Sequence, residues 1–293
     1  LKCCNLVEEK AYLKHIFQLN LAVVIISTSG TLGRYIDLSP FLIIFLRSFI
    51  AVWVLLIFCK LKGFKLNFEN NNDLLKVLFA GFLMCAHWLT YFQALKLSSV
   101  AIGMLSIYTY PVITTFLEPI IRKTGFNKLH LLLGVLVLLG VYFLVPEFSL
   151  DNQQTIAVCF GVGSAFLYSL RNILMKQQAS TYNGSVLMLY QMFVVSGLLL
   201  PVLFFFDLSV IPSQLAPVLI LGLFTTSVGH TLLVSSFKYF SATTASIISS
   251  AQPIYGIVLG YFILNEIPSA NTMIGGVLIA AAVFTEIFRS FKK

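Results

Sequence analysis

The sequence predicts an all-α membrane protein of ten transmembrane helices, arranged as two inverted five-helix repeats. Three observations carry this. First, 58% of the 293 residues are hydrophobic and only 10% are charged, against roughly 25% charged in a soluble domain, and the mean hydropathy is +0.93. Thirty Asp, Glu, Lys and Arg residues cannot form the polar shell that a soluble fold of this length needs, so lipid must cover most of the outside. Second, the chain divides at charged and Asn/Pro clusters into ten apolar segments, each near the roughly 20 residues that cross a bilayer. Third, "KLSSVAIGMLSIYTYP" from Lys96 to Pro111 returns without a gap as "KYFSATTASIISSAQP" from Lys238 to Pro253, 142 residues later.

The segments follow in order. The first, 16–36, comes after Lys10 and Lys14 and lacks a small-residue cleavage site, so it is expected to stay as a span rather than leave as a signal peptide. The second, 41–59, runs into "KLKGFKLNFENNND", Lys60 to Asp73, the longest connection and a polar, short one. Then come 74–95, 99–121 and 129–146, closing the first half (1–146), and 155–177, 186–206, 216–237, 243–263 and 269–288, forming the second (155–288). Little chain is left for a soluble domain, so any chemistry must sit among the helices. The cysteines, Cys3, Cys4, Cys59, Cys85 and Cys159, have neither C-x-x-C nor paired spacing, which points to free thiols and away from zinc or a disulfide framework.

Lys and Arg are retained on the cytoplasmic side of membrane proteins. With the N-terminus inside, that side holds Lys2, Lys10, Lys14, Lys60, Lys62, Lys65, Lys76, Arg122, Lys123, Lys128, Arg171, Lys176, Lys238, Arg289, Lys292 and Lys293. The outside keeps only Arg34 and Lys96. Both termini are therefore expected in the cytoplasm, in a cytoplasmic membrane of the bacterial inner-membrane kind. The net charge of +8 describes a face toward anionic lipid, not a nucleic-acid surface.

The repeat sets Ser99 on Ser241, Pro111 on Pro253 and Gly134 on Gly276. Five spans is an odd number, so the second copy enters the membrane from the opposite side, an arrangement that suits alternating access to a midplane site. The pattern of Lys, Ser and Pro in the fourth and ninth spans, and above all "FKYFSATTASIISSAQPIYGIVLGYFILNEIPSANTMIGGVLIAAAVF", resembles the EamA-type transporters of the drug/metabolite transporter superfamily. Pro253, Gly260, Glu266, Gly275 and Gly276 match the second EamA unit. The first unit departs from the family where "LEPIIRKTGFN" replaces the usual Leu-Gly-Glu ending. The resemblance implies ten helices around a central cavity, no cofactor, and movement of small organic solutes, often amino acids or related metabolites.

Pro111 and Pro253 each remove an amide donor and are expected to bend their helices, freeing the carbonyls of Ile107 and Ser249 near mid-depth. Tyr110, Thr114 and Glu118 recur every four residues on one stripe. Glu118 fits two roles, i,i+4 pairing with Arg122 or coupling to a proton or to substrate. In the ninth span Gly256 and Gly260 read as a GxxxG packing face, with Ser249, Gln252 and Tyr255 as cavity candidates beside it. Arg47 lies seven residues into the second span and fits an anion contact, an outward-reaching side chain or a structural pairing. Tyr168 and Asn172 share a face with Ser164 and Arg171, and Arg171 reads as a cytoplasmic anchor. His87, Trp88 and Tyr91 on the third span and His230 on the eighth complete the candidates, and both of these histidines titrate near neutrality when unperturbed. Tyr108 and Tyr190 belong to an aromatic set fit to line a cavity.

The favoured function is a secondary transporter, exporter or facilitator, of small organic metabolites such as amino acids. No G-x-x-x-x-G-K-[ST] is present, so any driving force is a gradient. The alternatives are a membrane enzyme on lipid-linked substrates, for which no H-E-x-x-H, Asp-rich or His/Cys cluster is found, and a sensor or assembly subunit. Partners are a small solute and the bilayer, with monomer and homodimer both open. In a background lacking the native cysteines, K96C is expected to react with an impermeant maleimide from outside and K238C only from the cytoplasm. Labelling of both from one side refutes the inverted repeat.

Overall fold

The computed structural model describes residues 2–123, 128–144, 149 and 151–290, the side chains being described from Lys14 onward with a few further gaps. Lys2, Lys10, Lys128, Arg289, Lys292 and Lys293, counted above toward the inner face, therefore have side chains outside the described residues, as do Cys3 and Cys4. The structure is helical, with no strand among the described residues. Its elements are α1 (Lys2–Tyr35), α2 (Pro40–Leu61), α3 (Asn71–Leu97), α4 (Val100–Ile107), α5 (Tyr110–Arg122), α6 (Lys128–Leu144), α7 (Gln153–Gln178) and α8 (Gly184–Leu199). After them come α9 (Ile211–Ser236), α10 (Ala242–Ser249), α11 (Gln252–Leu264) and α12 (Ala270–Ser290).

Seven of the expected spans are helices long and apolar enough to cross a membrane, the fourth taken from Val100 to Arg122 through its break. The other three are represented by shorter apolar helices, Leu132–Leu144, Gln252–Leu264 and Ala270–Ala282. The outer face is as apolar as the core. Phe49, Trp53 and Ile57 line the outer face of α2, and Leu132, Val135 and Leu138 that of α6. Within that core serines, threonines, His87, His230 and two arginines are buried as well.

Helix pairing across the halves has a regular form. The second span packs on the seventh, the fourth on the ninth and the fifth on the tenth, while the third packs on the sixth as the first does on the eighth. Exchanging the halves returns the same set of pairs.

The repeated residues do the same local work twice. Ser99 Oγ accepts from Ile102 N and Ser241 Oγ from Thr244 N, each filling an orphan donor at the start of a half-helix. Lys123 and Asn265, also 142 apart, are the two described non-glycine residues with positive φ, both at 54°, and each closes the second half-helix with a left-handed C-cap. Between these caps the expected kinks are complete breaks. The fourth span stops at Ile107 and restarts at Tyr110; the ninth stops at Ser249 and restarts at Gln252. Pro111 and Pro253 sit in the first turn of the new helix, where a missing amide donor costs nothing because it would be an orphan anyway.

α9 contains a π-helical stretch, Leu221–His230, where Thr226 and Ser227 hydroxyls bond the carbonyls of Leu221 and Gly222, five residues back. Such widened turns shift the side chains that follow, and this one sets Thr226 and His230 toward the interior.

α6 and α12 meet backbone to backbone. A Cβ on Gly275 would stand 2.6 Å from the Gly140 carbonyl oxygen, an atom that cannot step aside. Gly275→Ala is expected to lower stability by about 1–3 kcal/mol, measured as a fall in the thermal unfolding midpoint of the purified protein in detergent.

Candidate functional site

The two breaks face one small central cavity of about 30 Å³, room for little more than a water or two. His87, Trp88 and Tyr91 of α3, Tyr110 of α5 and Tyr168 of α7 form its aromatic wall. His230 of α9 and Gln252 of α11 complete the polar side, together with Ser29 of α1 and, at the first break, Ile107 and Tyr108. Both halves therefore contribute, and seven of the residues expected at the site are brought together: His87, Trp88, Tyr91, Tyr110, Tyr168, His230 and Gln252.

Each ring is held by a neighbour. The Ser164 hydroxyl donates to the His87 carbonyl at 2.8 Å, which leaves the Ser164 oxygen to accept from His87 Nδ1–H, also at 2.8 Å. That tautomer leaves Nε2 as an acceptor. The His87 ring stacks on Tyr168, centroids 4.3 Å apart, and Tyr110 meets Tyr168 edge-on at 5.0 Å. Tyr110 Oη donates to the Ser246 carbonyl at 3.2 Å, tying the second half of the fourth span to the first half of the ninth. His230 meets Trp88 edge-on at 5.4 Å, and its Nδ1 has no hydrogen-bond partner in the structure.

Two arginines lie behind this wall, both fully buried. Arg47 donates from Nε to Thr226 Oγ1 at 2.8 Å and from Nη1 to Ser29 Oγ at 3.2 Å, and its guanidinium carbon lies 4.0 Å from the Trp88 ring centroid. Nη2 is buried without a partner. The outward-reaching reading of Arg47 is overturned: the π-stretch of α9 presents Thr226, and the side chain turns in. Arg171 is corrected in the same way. It is not a cytoplasmic anchor but an interior group, donating from Nε to Gln191 Oε1 at 2.7 Å and from Nη1 to Asn172 Oδ1 at 3.0 Å. The three ion pairs among the described residues are Arg34–Glu266, Lys76–Asp73 and Arg122–Glu118, so neither buried arginine has a described acid beside it.

The remaining candidates lie elsewhere. Thr114 is buried against Ser169 and the Tyr110 carbonyl. Asn172 is taken up by Arg171. Ser249 is buried with its hydroxyl unpartnered but does not border the cavity. Tyr255 is 43% exposed and turns outward with Ile254 and Val258, because α11 restarts at Gln252 with Gln252, Gly256 and Gly260 inward. Tyr190 packs on Phe68, away from the centre. Tyr108 also borders a second, apolar groove of about 340 Å³ between α4, α11 and α12, with Ile254, Met273 and Val277 along it.

Glu118 is away from the cavity, at the far end of α5, and accepts from Thr243 N at 3.1 Å and from the Thr243 hydroxyl. At the opposite end Glu266, named above only as a match to the second EamA unit, accepts from Val100 N at 2.7 Å and from Arg34 Nε at 3.3 Å. Each half thus places a carboxylate on the first turn of the broken helix of the other half, where amide donors and the helix dipole favour negative charge. Glu266 stands in the best-matched stretch of the repeat; Ser29 and Thr226 carried no signal, being ordinary hydroxyl residues in apolar runs.

The sequence model of the EamA-like transporter family matches residues 13–145 and 155–286. An uncharacterized transporter of Archaeoglobus fulgidus is 26% identical over 263 residues, covering 90% of this chain and 92% of its own length. The S-adenosylmethionine uptake transporter of Rickettsia prowazekii is 23% identical over 288 residues, 97% of this chain and 95% of that one. The pseudopaline exporter CntI of Pseudomonas aeruginosa is 23% identical over 245 residues, 82% and 83% of the two chains. A solved crystal structure superposes with a TM-score of 0.71 over 96% of this chain and 99% of the other at 19% identity, a likeness of fold. Within the site described above, Gln191→Leu would strip Arg171 Nε of its acceptor. It is expected to cost about 1.5–3 kcal/mol of stability, read by thermal unfolding in detergent.

Proposed function

The chain belongs to the EamA-like transporter family, and from that premise we propose that it is a secondary transporter of small organic metabolites such as amino acids, working by alternating access. What supports this most is a chamber walled by both halves and closed at each end by a clamp of one half on the other. With the topology expected from the charge distribution, the Glu118–Thr243 clamp closes the cytoplasmic side and the Glu266–Val100 clamp the external side. Releasing one while keeping the other opens the chamber to one face only. The clamps stand at non-equivalent positions of the repeat, but each ties a carboxylate of one half to the first turn of the other half's broken helix, and such a pair keeps the two open states comparable in energy, as alternating access requires. Glu118 then serves as a gate tie and not as a proton carrier, since it is committed to Thr243 and Arg122 and does not border the chamber.

The relatives' names include an uptake transporter and an exporter, so direction in this reading is set by the gradient and not by the fold. Names and family alike point to transport rather than to an enzyme.

Purified protein in liposomes is expected to move members of a labelled amino-acid and amine panel without ATP. Glu118→Gln and Glu266→Gln are each expected to slow that flux by about tenfold, the scale of a typical coupling between states, without loss of folded protein. A pH gradient is expected to leave the rate of Glu118→Gln relative to the parent unchanged. No flux for any panel member rejects the reading.

A further inference from the structure

The buried guanidinium of Arg47 is a charge left unbalanced. Arginine stays protonated in proteins, and a buried charge without a counter-charge is strongly unfavourable. Its neighbours are neutral, Thr226, Ser29 and the Trp88 face, and Nη2 has nothing. By contrast Arg171 is met by Gln191, Asn172 and the Met188 sulfur.

Between Arg47 and the chamber stand two side chains that touch both. Trp88 carries the guanidinium on its face and borders the cavity; Ser29 accepts from Arg47 Nη1 and borders the cavity. A hydroxyl that accepts from a cation is polarised to donate onward, and the Ser29 hydrogen has no described acceptor. Beside Trp88, His230 is 3% exposed and its Nδ1 has no partner, although the residue borders the cavity. A hydroxyl hydrogen without an acceptor, a ring nitrogen without a partner and a cation without an anion thus converge on one wall.

We propose that the chamber, once opened beyond the water-sized space of this closed state, holds its solute by a carboxylate, received by the Ser29 hydroxyl and by His230 in its Nδ1–H tautomer with Arg47 as counter-charge, and by a flat carbon skeleton laid among Trp88, Tyr108, Tyr110 and Tyr168. Of the two buried guanidiniums, Arg47 has the nitrogen without a partner, and a single carboxylate answers it. No described carboxylate borders the chamber, so a cationic solute finds no partner there. The inference rests on the transporter reading only for movement of the solute; binding is tested apart from it.

The protein has two tryptophans, and Trp53 faces outward at 53% exposure. Trp53→Phe therefore leaves Trp88 as the single reporter in the wall. In lipid nanodiscs this protein is titrated with 3-phenylpropionate, its uncharged amide, phenethylammonium and phenyl phosphate. A saturable change in Trp88 emission is expected with the carboxylate, and affinity roughly tenfold or more weaker for the amide. Arg47→Gln is expected to abolish the preference for acid over amide, and Arg47→Lys to keep part of it. The matched acid and amide on the parent protein need no Arg47 variant and stand even where Arg47→Gln fails to fold. The proposal is overturned by equal affinity for acid and amide, by tighter binding of the ammonium or the phosphate, or by no saturable response to the carboxylate. In liposomes, binding of the acid without flux would sink the transporter reading alone, whereas equal flux of acid and amide would sink this one alone.

Discussion

Hydrocarbon offers no partner to a polar group, so every serine, histidine or arginine carried into the bilayer core must find one on a neighbouring helix. That constraint arranges the rest of this molecule. Its lipid face is Phe, Leu, Ile and Val, and its polar groups are gathered where the two halves meet. Thr226 answers Arg47, Gln191 answers Arg171, and Ser164 answers His87. The same rule governs the backbone, for each broken span exposes amide ends, and those ends are filled by Ser99, Ser241, Glu118 and Glu266.

Much of this was legible from residues alone. Composition and segment length identified a membrane protein, and the recurrence of Ser99 as Ser241 and Pro111 as Pro253 located the paired spans that later prove to be broken. The aromatic wall was readable as well, since His87, Trp88 and Tyr91 fall within one turn or so of each other on one apolar helix, and Tyr110 and Tyr168 stand on polar stripes of two others. Other features were not legible, for specific reasons. A proline in a span signals a kink or a break alike, and only the caps at Tyr108 and Ala251 distinguish them. The break at residues 250–251 restarts the helical register, which turns Tyr255 outward even though Gln252, one turn earlier, points in. A count of basic residues by position assigns Arg171 to the cytoplasmic rim, but direction of the side chain, not position, decides what it touches. The π-stretch that brings Thr226 to Arg47 has no sequence signature in "LGLFTTSVGH" beyond small and hydroxyl-bearing residues.

The pseudo-symmetry is close in its scaffolding and loose in its chemistry. Caps, breaks and left-handed closures recur at a spacing of 142, yet the arginines do not. One is on the second span of the first half and the other on the first span of the second half, and they are satisfied to different degrees. A frame made of like halves can exchange its open ends with little energetic bias, while an asymmetric interior lets a solute be held in one orientation throughout. The division follows from the physics: helix ends have a fixed need for partners, whereas the walls of a chamber are free to vary with what it contains.

The Tyr108 ring stands between the central chamber and the apolar groove along α11 and α12. On one side it faces histidine and glutamine; on the other, the surface that acyl chains would wet. Tyr108 is the one lining residue that the two spaces share, so its ring is the partition that keeps the polar interior apart from the hydrocarbon beside it.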